Sequence, residues 1–308
     1  MRVLVTGAGG FVGSWLTEGL RSAGHQTLAD GERIDVTHLR DVRHAVSETL
    51  PDAIAHLAAV SFAPDAAANP ANAMEVAVGG TTNVLEAVRS MPHPAVVLVA
   101  GSSEVYGLPA SEDLPLREDS PLHPRKAYAL SKAAQESVAL AYAARFDLRV
   151  VVTRSFSHTG PGQADHFVVP AMTRRVHELA IGASRDIRVG NLDVRRDMSD
   201  VRDVAEAYRL LLELAVGGDP VARGLVVNVC SGRSVAVRWI VEELCRLARV
   251  EPRLRVDPDL VRPNDAPDVR GDPTLMHQLT GWQAHTPLTT TLAEMWASTA
   301  APVAATPH

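Results

Sequence analysis

Tyr128 and Lys132 form the pair with the clearest acid–base potential, because four positions separate a phenol from an amine in an alanine-rich segment. On a helix this spacing stacks both side chains on one face. A neighbouring ammonium favours the phenolate, so we expect it to lower the pKa of Tyr128 from the ordinary value of about 10. The hydroxyl of Ser102, after an apolar run, is suited to hydrogen-bond a carbonyl oxygen. The three groups predict a site that interconverts a carbonyl and an alcohol.

The segment around Ser102 reads GSSEVYG over residues 101–107 and contains further polar groups. Ser103 is a candidate substrate contact. Glu104 is compatible with two roles: it transfers a proton to a substrate hydroxyl or carbon, or it only forms a hydrogen bond in the pocket. Tyr106 is expected to pack rather than to react.

A Tyr-x-x-x-Lys pair is most often a surface pair, so its interpretation depends on a nucleotide site elsewhere in the chain. Residues 5–13 read VTGAGGFVG, between an apolar run and a helical pattern. Glycines here permit a tight turn, a close approach of the backbone to a diphosphate, and packing of helix on strand, while the helix N-terminus offers free N–H donors. The loop predicts a dinucleotide site made by Gly7, Gly10, Phe11, Val12 and Gly13.

The sequence leaves the choice between NAD(H) and NADP(H) open. Asp30, about 20 positions past the glycine loop, is suited to accept two ribose hydroxyls and to repel a 2′-phosphate, which favours NAD. Arg33 favours the opposite choice, because a guanidinium pairs with phosphate. Asp35 is a candidate adenine contact, and an ordinary surface carboxylate is an equally good interpretation. The cofactor is therefore predicted as NAD(P)H.

The elements that position these groups follow from an alternation of short aliphatic runs and longer helical segments. The runs lie at residues 3–5, 53–57, 96–99 and 150–152. The Tyr-Lys pair falls in a helical segment at residues 127–145. Because parallel strands need crossover connections, this rhythm predicts an α/β fold with a doubly wound parallel Rossmann sheet.

The chain is predicted to divide into two discontinuous lobes. After about residue 155 the rhythm gives way to Gly-Pro turns and charged loops, whereas a helix at 204–215 and a strand at 225–229 indicate a return to the first sheet. We expect a dinucleotide-binding domain and a smaller α/β substrate lobe. Their respective boundaries are residues 1–155 with 201–230, and residues 156–200 with 231–308.

The composition excludes several functional classes. The 308 residues are 46% hydrophobic and 21% charged, with a formal charge of −6. This balance excludes disorder and lacks the cationic surface that binding to nucleic acid or an anionic membrane requires. Cys230 and Cys245 have a spacing unlike a zinc site or a redox pair, so we expect free thiols and no metal. With no room for a signal peptide at residues 1–13, we expect a cytoplasmic protein.

These motifs resemble the extended short-chain dehydrogenase/reductase family of nucleotide-sugar enzymes, and the resemblance covers nearly the whole chain. The shared pattern is a T-G-x-x-G-F-x-G loop, a Ser before a V-Y-G turn, and Y-x-x-x-K. The later segments look most like the GDP-4-dehydro-6-deoxymannose reductases, relatives of GDP-mannose 4,6-dehydratase. The further matching segments are 56–59 (HLAA), 81–87 (TTNVLEA), 154–163 (RSFSHTGPGQ), 189–193 (VGNLD), 196–197 (RD), 200–204 (DVRDV), 228–232 (NVCSG), 262–263 (RP), 271–272 (GD) and 281–282 (GW).

The resemblance implies NAD(P)H-dependent reduction of a nucleoside-diphosphate 4-keto-6-deoxyhexose, with GDP or TDP as the nucleotide. Tyr128 would supply the proton, Lys132 would tune Tyr128 and hold the nicotinamide ribose, and Ser102 would polarise the carbonyl. A homodimer built on the helices before and after Ser103 is also implied. Implied cofactor contacts are Leu57, Ala58 and Ala59. Implied substrate contacts are Ser103, Glu104, Ser157, His158, Arg196 and Arg262, where the two arginines are expected to clamp the diphosphate.

Two alternative functions stay open. A nucleotide-sugar 4,6-dehydratase or 4-epimerase returns the hydride to the sugar within one cycle, and Glu104 is compatible with that chemistry. A dinucleotide-sensing protein needs no chemistry, but it can dispense with Tyr128 and Lys132, which this chain retains. Ser157 and Ala77 lie where the family often has Asn, so we expect sugar recognition to differ from that of the reductases.

Overall fold

The computed structural model describes residues 1–28, 34–261 and 265–300. The strands are β1 (Arg2–Thr6), β2 (Gln26–Leu28), β3 (Ala53–His56), β4 (Val96–Ala100), β5 (Val150–Ser155), β6 (Ser157–Thr159), β7 (Ile187–Val189), β8 (Arg195–Asp200), β9 (Arg223–Val229), β10 (Ser234–Ala236), β11 (Leu254–Val256) and β12 (Asp268–Val269). The α-helices are α1 (Phe11–Ser22), α2 (Leu39–Thr49), α3 (Ala63–Ala68), α4 (Pro70–Met74), α5 (Gly80–Arg89), α6 (Ala127–Phe146), α7 (Val168–Ala180), α8 (Val201–Val216), α9 (Val237–Ala248), α10 (Thr274–Thr280) and α11 (Leu288–Ala300). A π-helical turn, Glu75–Gly79, joins α4 to α5.

Six strands form a parallel sheet in the order β2-β1-β3-β4-β5-β9. Its central strands are runs of aliphatic residues because both faces are buried, one under α1 and α8 and the other under α2 and α5. The chain leaves β1 toward β2 on one side and then crosses to β3 on the other. Ligands of such sheets bind at this reversal point. The predicted doubly wound Rossmann fold is confirmed.

Several element boundaries differ from the sequence-based expectation for local reasons. The α8 helix begins at Val201 rather than at residue 204, because the Asp200 carboxylate caps it by accepting the Arg202 backbone N–H at 2.7 Å. The β5 strand continues past residue 152 to Ser155.

A second group of strands packs with α7, α9 and α11. The strands β10, β8 and β12 form one sheet, β6 pairs with β8, and β7 pairs with β11. The shared apolar core includes Val176, Ile187, Ile240, Leu244 and Leu292. The β9 strand joins the first sheet beside β5, as expected for residues 225–229. The division of the chain into two lobes at residues 155, 200 and 230 stays a prediction.

Within the described ranges, no helix combines the length and apolar character that a membrane span requires. Cys230 and Cys245 are buried and free, as expected. Burial raises the pKa of both thiols, that of Cys245 to about 11, which keeps them in the less reactive protonated form.

Candidate active site

The carboxyl ends of β1, β3 and β4 meet at one edge of the six-stranded sheet, because neighbouring parallel strands end on the same side. Each strand leads into a segment that the sequence analysis selected. The β1 strand leads into the glycine turn, β3 into residues 57–59, and β4 into Ser102 and Ser103. The edge therefore assembles three stretches that are far apart in the chain.

The glycine turn has positions where a side chain does not fit. Gly7 has φ +75°, and a Cβ there would lie 2.9 Å from the Ala58 backbone nitrogen. A Cβ on Gly13 would overlap the Gly7 carbonyl oxygen, which accepts a hydrogen bond from Gly10 N at 2.9 Å. No side chain caps α1, and its first turn carries no carboxylate. These N–H donors and the close backbone packing fit the diphosphate of a dinucleotide.

The first residues of α1 lie beside β6, a strand of the second group. Phe11 and Val12 are both partly buried. The Phe11 ring is stacked on the His158 imidazole, with 6.1 Å between ring centres, so a predicted cofactor residue contacts a predicted substrate residue. Burial lowers the pKa of His158, whose Nδ1 lies 3.0 Å from the Phe156 carbonyl oxygen. Ser157, the preceding residue on β6, is exposed.

The side chains of Ser102, Tyr128 and Lys132 converge at the end of β4. Ser102 is buried, and its Oγ accepts a hydrogen bond from Glu104 N at 3.2 Å. The Ser102 side chain is also near enough to the Tyr128 phenol to lower its pKa. Lys132, one turn further along α6, is 4% exposed and donates to the Ala100 carbonyl oxygen at 2.8 Å. A hydroxyl, a phenol and an amine thus share one small region.

The pKa of Tyr128 is not lowered as the sequence analysis expected. Burial raises it to about 12, the Glu104 charge acts in the same direction, and the nearby Ser102 hydroxyl only partly offsets these effects. The Lys132 amine is directed to Ala100 and to Gln135 Oε1, each at 2.8 Å. The expected effect of the ammonium on this pKa is therefore wrong for this arrangement. The phenol stays protonated at neutral pH.

Ser103 and Glu104 belong to the 3-10 turn Ser103–Tyr106. Ser103 is partly buried and Glu104 is exposed, near enough to Tyr128 for its charge to raise the phenol pKa. The predicted cofactor segment after β3 lies beside the glycine turn, where Leu57 N donates to the Thr6 carbonyl oxygen at 3.1 Å. Ala58 and Ala59 follow it and are partly buried.

A line of buried hydrogen bonds next to Lys132 was missed by the sequence analysis. Gln135 accepts from Lys132 through Oε1 and donates through Nε2 to Thr81 Oγ1, both at 2.8 Å. Thr81 Oγ1 lies 3.1 Å from His56 Nε2, and His56 Nδ1 lies 2.8 Å from Thr6 Oγ1. The only local signal was the i,i+3 spacing of Lys132 and Gln135, which places them on one helix face.

Arg154 is the centre of a second buried cluster. Its guanidinium contacts both carboxylate oxygens of Glu136, at 2.6 and 3.0 Å. It also donates to the Tyr106 hydroxyl at 3.0 Å and to the Glu118 carbonyl oxygen at 2.8 Å. Tyr106 OH donates in turn to Asn228 Oδ1 at 2.7 Å. Tyr106 is therefore a packing residue, as expected from the sequence.

Arg196, a predicted clamp for the diphosphate, is held by protein groups. Its guanidinium pairs with Asp265 at 2.5 Å and donates to the Ala266 carbonyl oxygen at 2.9 Å. A diphosphate at Arg196 would approach a guanidinium whose charge is already paired with the Asp265 carboxylate. The neighbouring Arg195 is exposed. Arg262, the second predicted clamp, lies outside the described residues.

Asp197, next to Arg196, joins three of the sequence motifs. Its buried carboxylate accepts hydrogen bonds from Ser231 N and Oγ at 2.8 and 2.6 Å, from Gly232 N at 3.0 Å, and from Gly271 N at 3.2 Å. Burial raises the pKa of Asp197, and these donors act against that increase. Asp197 of the Arg-Asp segment at residues 196–197 therefore has a structural role, because its one carboxylate satisfies backbone donors from two separate turns.

Of the three residues predicted to contact the adenosine part of the cofactor, only Asp35 lies within the described ranges. Asp30 and Arg33 lie outside the described residues. The Asp35 carboxylate accepts hydrogen bonds from Thr37 N at 3.0 Å and from Thr37 Oγ1 at 2.7 Å. Asp35 therefore stabilises the turn before α2, which fits its interpretation as a surface carboxylate.

One group of possible metal ligands lies at α8, where Asp203, Glu206 and His285 offer atoms within 4.8 Å of one another. The Asp203 carboxylate accepts hydrogen bonds from Thr286 N at 3.0 Å and from Thr286 Oγ1 at 2.8 Å. These bonds explain its burial. Because Thr286 already satisfies the Asp203 carboxylate, the group gives no argument for a metal site.

A Rossmann sheet with a glycine turn at its reversal point and a Ser/Tyr/Lys set at the same edge defines an NAD(P)-dependent oxidoreductase of the short-chain dehydrogenase/reductase type. The chain belongs to the GDP-mannose 4,6 dehydratase family, whose profile matches residues 30–295.

Two curated relatives and two solved structures illustrate the relationship. The GDP-6-deoxy-D-mannose reductase of Pseudomonas aeruginosa is 36% identical over 288 residues, which cover 92% of this chain and 91% of that protein. The GDP-6-deoxy-D-talose 4-dehydrogenase of Aggregatibacter actinomycetemcomitans is 30% identical over 286 residues, or 91% and 92% of the two chains. The structure of RMD from Pseudomonas aeruginosa complexed with NADPH has a TM-score of 0.89 and 34% identity, over 97% of this chain and 98% of that one. A putative epimerase from Burkholderia cenocepacia has a TM-score of 0.83 and 32% identity, over 97% of each chain.

Proposed function

We propose that this protein uses NAD(P)H to reduce a GDP-linked 4-keto-6-deoxyhexose, of the GDP-4-dehydro-6-deoxymannose type, to the 6-deoxyhexose. The names of the two curated relatives support a GDP-linked 6-deoxyhexose as the substrate class. The NADPH held by the solved relative supports a reduced nicotinamide dinucleotide. GDP is therefore preferred over TDP as the nucleotide.

Reduction of a carbonyl adds a hydride to carbon and a proton to oxygen. A bound reduced nicotinamide supplies the hydride. The Ser102 hydroxyl donates a hydrogen bond to the carbonyl oxygen and holds it beside Tyr128. Tyr128 donates its phenolic proton to that oxygen. Lys132 has three N–H donors, of which two are bound by Ala100 and Gln135, so one remains for the nicotinamide ribose.

The proximity of the Ser102 and Tyr128 side chains is the observation on which the proposal depends. The pair lies at the same sheet edge as the turn that fits a dinucleotide. Because burial raises the pKa of Tyr128 to about 12, the residue is a proton donor at neutral pH. Carbonyl reduction requires such a donor.

A 4,6-dehydratase or 4-epimerase is the second candidate, and Glu104 favours it. The Glu104 carboxylate is exposed and its charge acts on the Tyr128 pKa, so a potential base for a sugar C–H proton is present near the proposed proton donor. A dinucleotide-sensing protein without chemistry is the third candidate, and it makes no use of Tyr128 and Lys132.

The decisive assay supplies purified protein with GDP-4-dehydro-6-deoxymannose and NADPH or NADH. We expect oxidation of the cofactor in a one-to-one ratio with reduced sugar, followed by absorbance and by NMR of the product. Conversion of the sugar, or of GDP-mannose, without net oxidation of cofactor would instead support a dehydratase or epimerase. Cofactor binding without any turnover would support the sensing function.

The nucleotide and the cofactor are identified by a thermal-shift panel of GDP, TDP and UDP, each with NADH and with NADPH. A ligand that binds only the folded protein raises its melting temperature. We expect the largest increase with GDP. The cofactor arm distinguishes NADH from NADPH without requiring the sugar substrate.

We also propose the assembly and location that the family resemblance implies. Residues 1–155 and 201–230 form the dinucleotide lobe, and residues 156–200 and 231–308 form the substrate lobe. Two copies pair through α5 and α6, where Leu130 and Phe146 are exposed apolar side chains of α6. Light scattering tests the dimer, with twice the chain mass as the expected result. The two free thiols fit a cytoplasmic location, which cell fractionation tests.

A further inference from the structure

A line of buried side chains connects the proposed catalytic lysine to the glycine turn. It passes from Lys132 through Gln135, Thr81 and His56 to Thr6, with successive distances of 2.8, 2.8, 3.1 and 2.8 Å. Each of the five side chains is at most 4% exposed. Thr6 is the last residue of β1, directly before Gly7. The line therefore spans α6, α5, β3 and β1.

The donors in this line allow Gln135 only one orientation. The Lys132 ammonium has donors but no acceptor, so the amide oxygen of Gln135 must face it and the amide nitrogen must face Thr81. A reversed amide would place two donors against each other in the interior, at the cost of an unsatisfied buried group. Thr81 therefore holds Gln135, and Gln135 holds Lys132.

His56 completes the line as a neutral group. Burial, with a smaller effect of the Lys132 charge, lowers the pKa of His56 to about 3. The neutral ring has one N–H and one lone pair, so one ring nitrogen donates and the other accepts. His56 can therefore link Thr81 to Thr6 without a second positive charge beside Lys132. Thr6 Oγ1 also accepts the Ala58 N–H at 3.4 Å, which ties the segment after β3 to the same line.

We propose that Gln135 is a positioning residue that fixes the direction of the Lys132 amine, and that Thr81 acts through Gln135. This inference rests on the proposed function, in which Lys132 binds the nicotinamide ribose. With two N–H groups bound to Ala100 and Gln135, the third has a defined direction. Without the amide, the flexible lysine side chain rotates and that direction is lost. The line to Thr6 also keeps the amine in fixed geometry with the glycine turn.

Gln135 also affects the charge state of Lys132. The Lys132 charge acts on His56 of β3, and Tyr128 lies one turn before Lys132 on α6, where Glu104 and Tyr208 act on its phenol. Burial alone lowers the pKa of Lys132 to about 8. Because an acceptor stabilises the ammonium, we expect removal of the Gln135 amide to lower this pKa further, and a carboxylate at the same position to raise it.

The composition of the chain makes Lys132 directly observable. Lys126 and Lys132 are its only two lysines, so protein grown with isotope-labelled lysine gives two sets of side-chain NMR signals. Lys126 is exposed and serves as the internal reference. In the free protein we expect the ε-carbon of Lys132 to titrate near pH 8 in the wild type. The midpoint should lie lower in Gln135→Leu and higher in Gln135→Glu.

Variants of Thr81 distinguish a positioning role of Gln135 from a purely structural one. Thr81→Val keeps the shape but removes the hydroxyl that holds Gln135. We expect the Lys132 midpoint to move in the same direction as in Gln135→Leu, and NADPH affinity to fall about fivefold. Thr81→Ser should restore both properties. The matched control is Thr17→Val, because Thr17 is buried on α1 and its hydroxyl has no partner among the described residues.

The same Lys132 midpoint in the wild type, Gln135→Leu and Gln135→Glu would overturn the proposal. A Thr81→Val protein with a lower melting temperature but wild-type Lys132 titration and NADPH affinity would also overturn it. The titration needs neither cofactor nor sugar, so it is independent of the proposed function. Failure of that function would appear as a wild-type protein that does not oxidise NAD(P)H with the keto sugar.

Discussion

Arg154 on β5 and Glu136 on α6 share two hydrogen bonds, of 2.6 and 3.0 Å, while their side chains are only 6% and 5% exposed. Glu136 follows Lys132 by one helical turn, so this ion pair fixes the helix that carries Tyr128 and Lys132 against the sheet. Both charges are buried, and removal of one would leave the other without its partner.

Glu136→Gln is expected to lower the free energy of unfolding by about 3 kcal/mol, because Arg154 then keeps a buried charge without a carboxylate. Denaturant titration measures the loss. Glu178→Gln is the matched control, since the pair of Glu178 with Arg174 on α7 is exposed, at 40% and 48%. That variant should lose less than about 1 kcal/mol. Equal losses in the two variants would contradict the prediction.

Tyr128→Phe is expected to lower kcat by about 100-fold or more, because the proton donor is removed while the ring is retained. NADPH affinity, measured by fluorescence titration, should change little. Tyr142→Phe serves as the control, since Tyr142 lies on the same helix and its hydroxyl donates to Glu86 at 2.9 Å. Near wild-type turnover in Tyr128→Phe would refute the assigned role.

Folding stability is expected to decrease as the pH falls below about 6.5, partly because of His56. Burial lowers its pKa from 6.5 to about 3 in the folded protein. Between these values the unfolded chain binds a proton that the folded protein does not, so falling pH favours unfolding. The effect is absent above the unfolded pKa and is complete only below the folded one.

His56→Gln lacks this proton linkage, although it also alters the buried line at neutral pH. Its melting temperature should therefore fall less steeply than that of the wild type between about pH 7 and pH 4. His93→Gln, which removes an exposed imidazole, is the control for loss of a histidine. Parallel pH profiles for His56→Gln and the wild type would show that His56 does not contribute this slope.

Gly13→Ala is expected to weaken NADPH binding about tenfold, because the new Cβ overlaps the Gly7 carbonyl oxygen and displaces the turn. Fluorescence titration gives the affinity. Gly19→Ala, on the same helix, is the control: its Cβ would meet no atom within 4 Å. It should raise stability by about 0.5–1 kcal/mol and leave affinity unchanged. A similar affinity for both variants would argue against the glycine turn as the diphosphate site.

The architecture was largely predictable from the sequence because its signals are local. Strands buried on both faces must be apolar throughout, so the runs that became β1, β3, β4 and β5 were visible as such. The glycine turn depends on backbone freedom within a few residues, and its spacing appears directly in residues 5–13. The helix of Tyr128 and Lys132 follows from composition.

The partners of these groups were decided only by the tertiary structure. The spacing of Tyr128 and Lys132 indicated a shared helix face, but the amine is directed to Ala100, 32 positions away, and to Gln135. The pKa of Tyr128 is raised because packing buries it, and no local pattern reports burial at that position. Arg196 was selected for its guanidinium, which Asp265 binds from 69 positions away.

The buried line from Lys132 to Thr6 shows the same limit most clearly. Successive residues of the line are 3, 54, 25 and 50 positions apart in the chain, and beyond the i,i+3 spacing of Lys132 and Gln135 no local pattern indicates which of them bond to one another. Sequence determined which residue types were available at the ends of the strands. Packing of α5, α6, β1 and β3 determined which of them are close enough to bond, because hydrogen bonds act over about 3 Å regardless of distance along the chain.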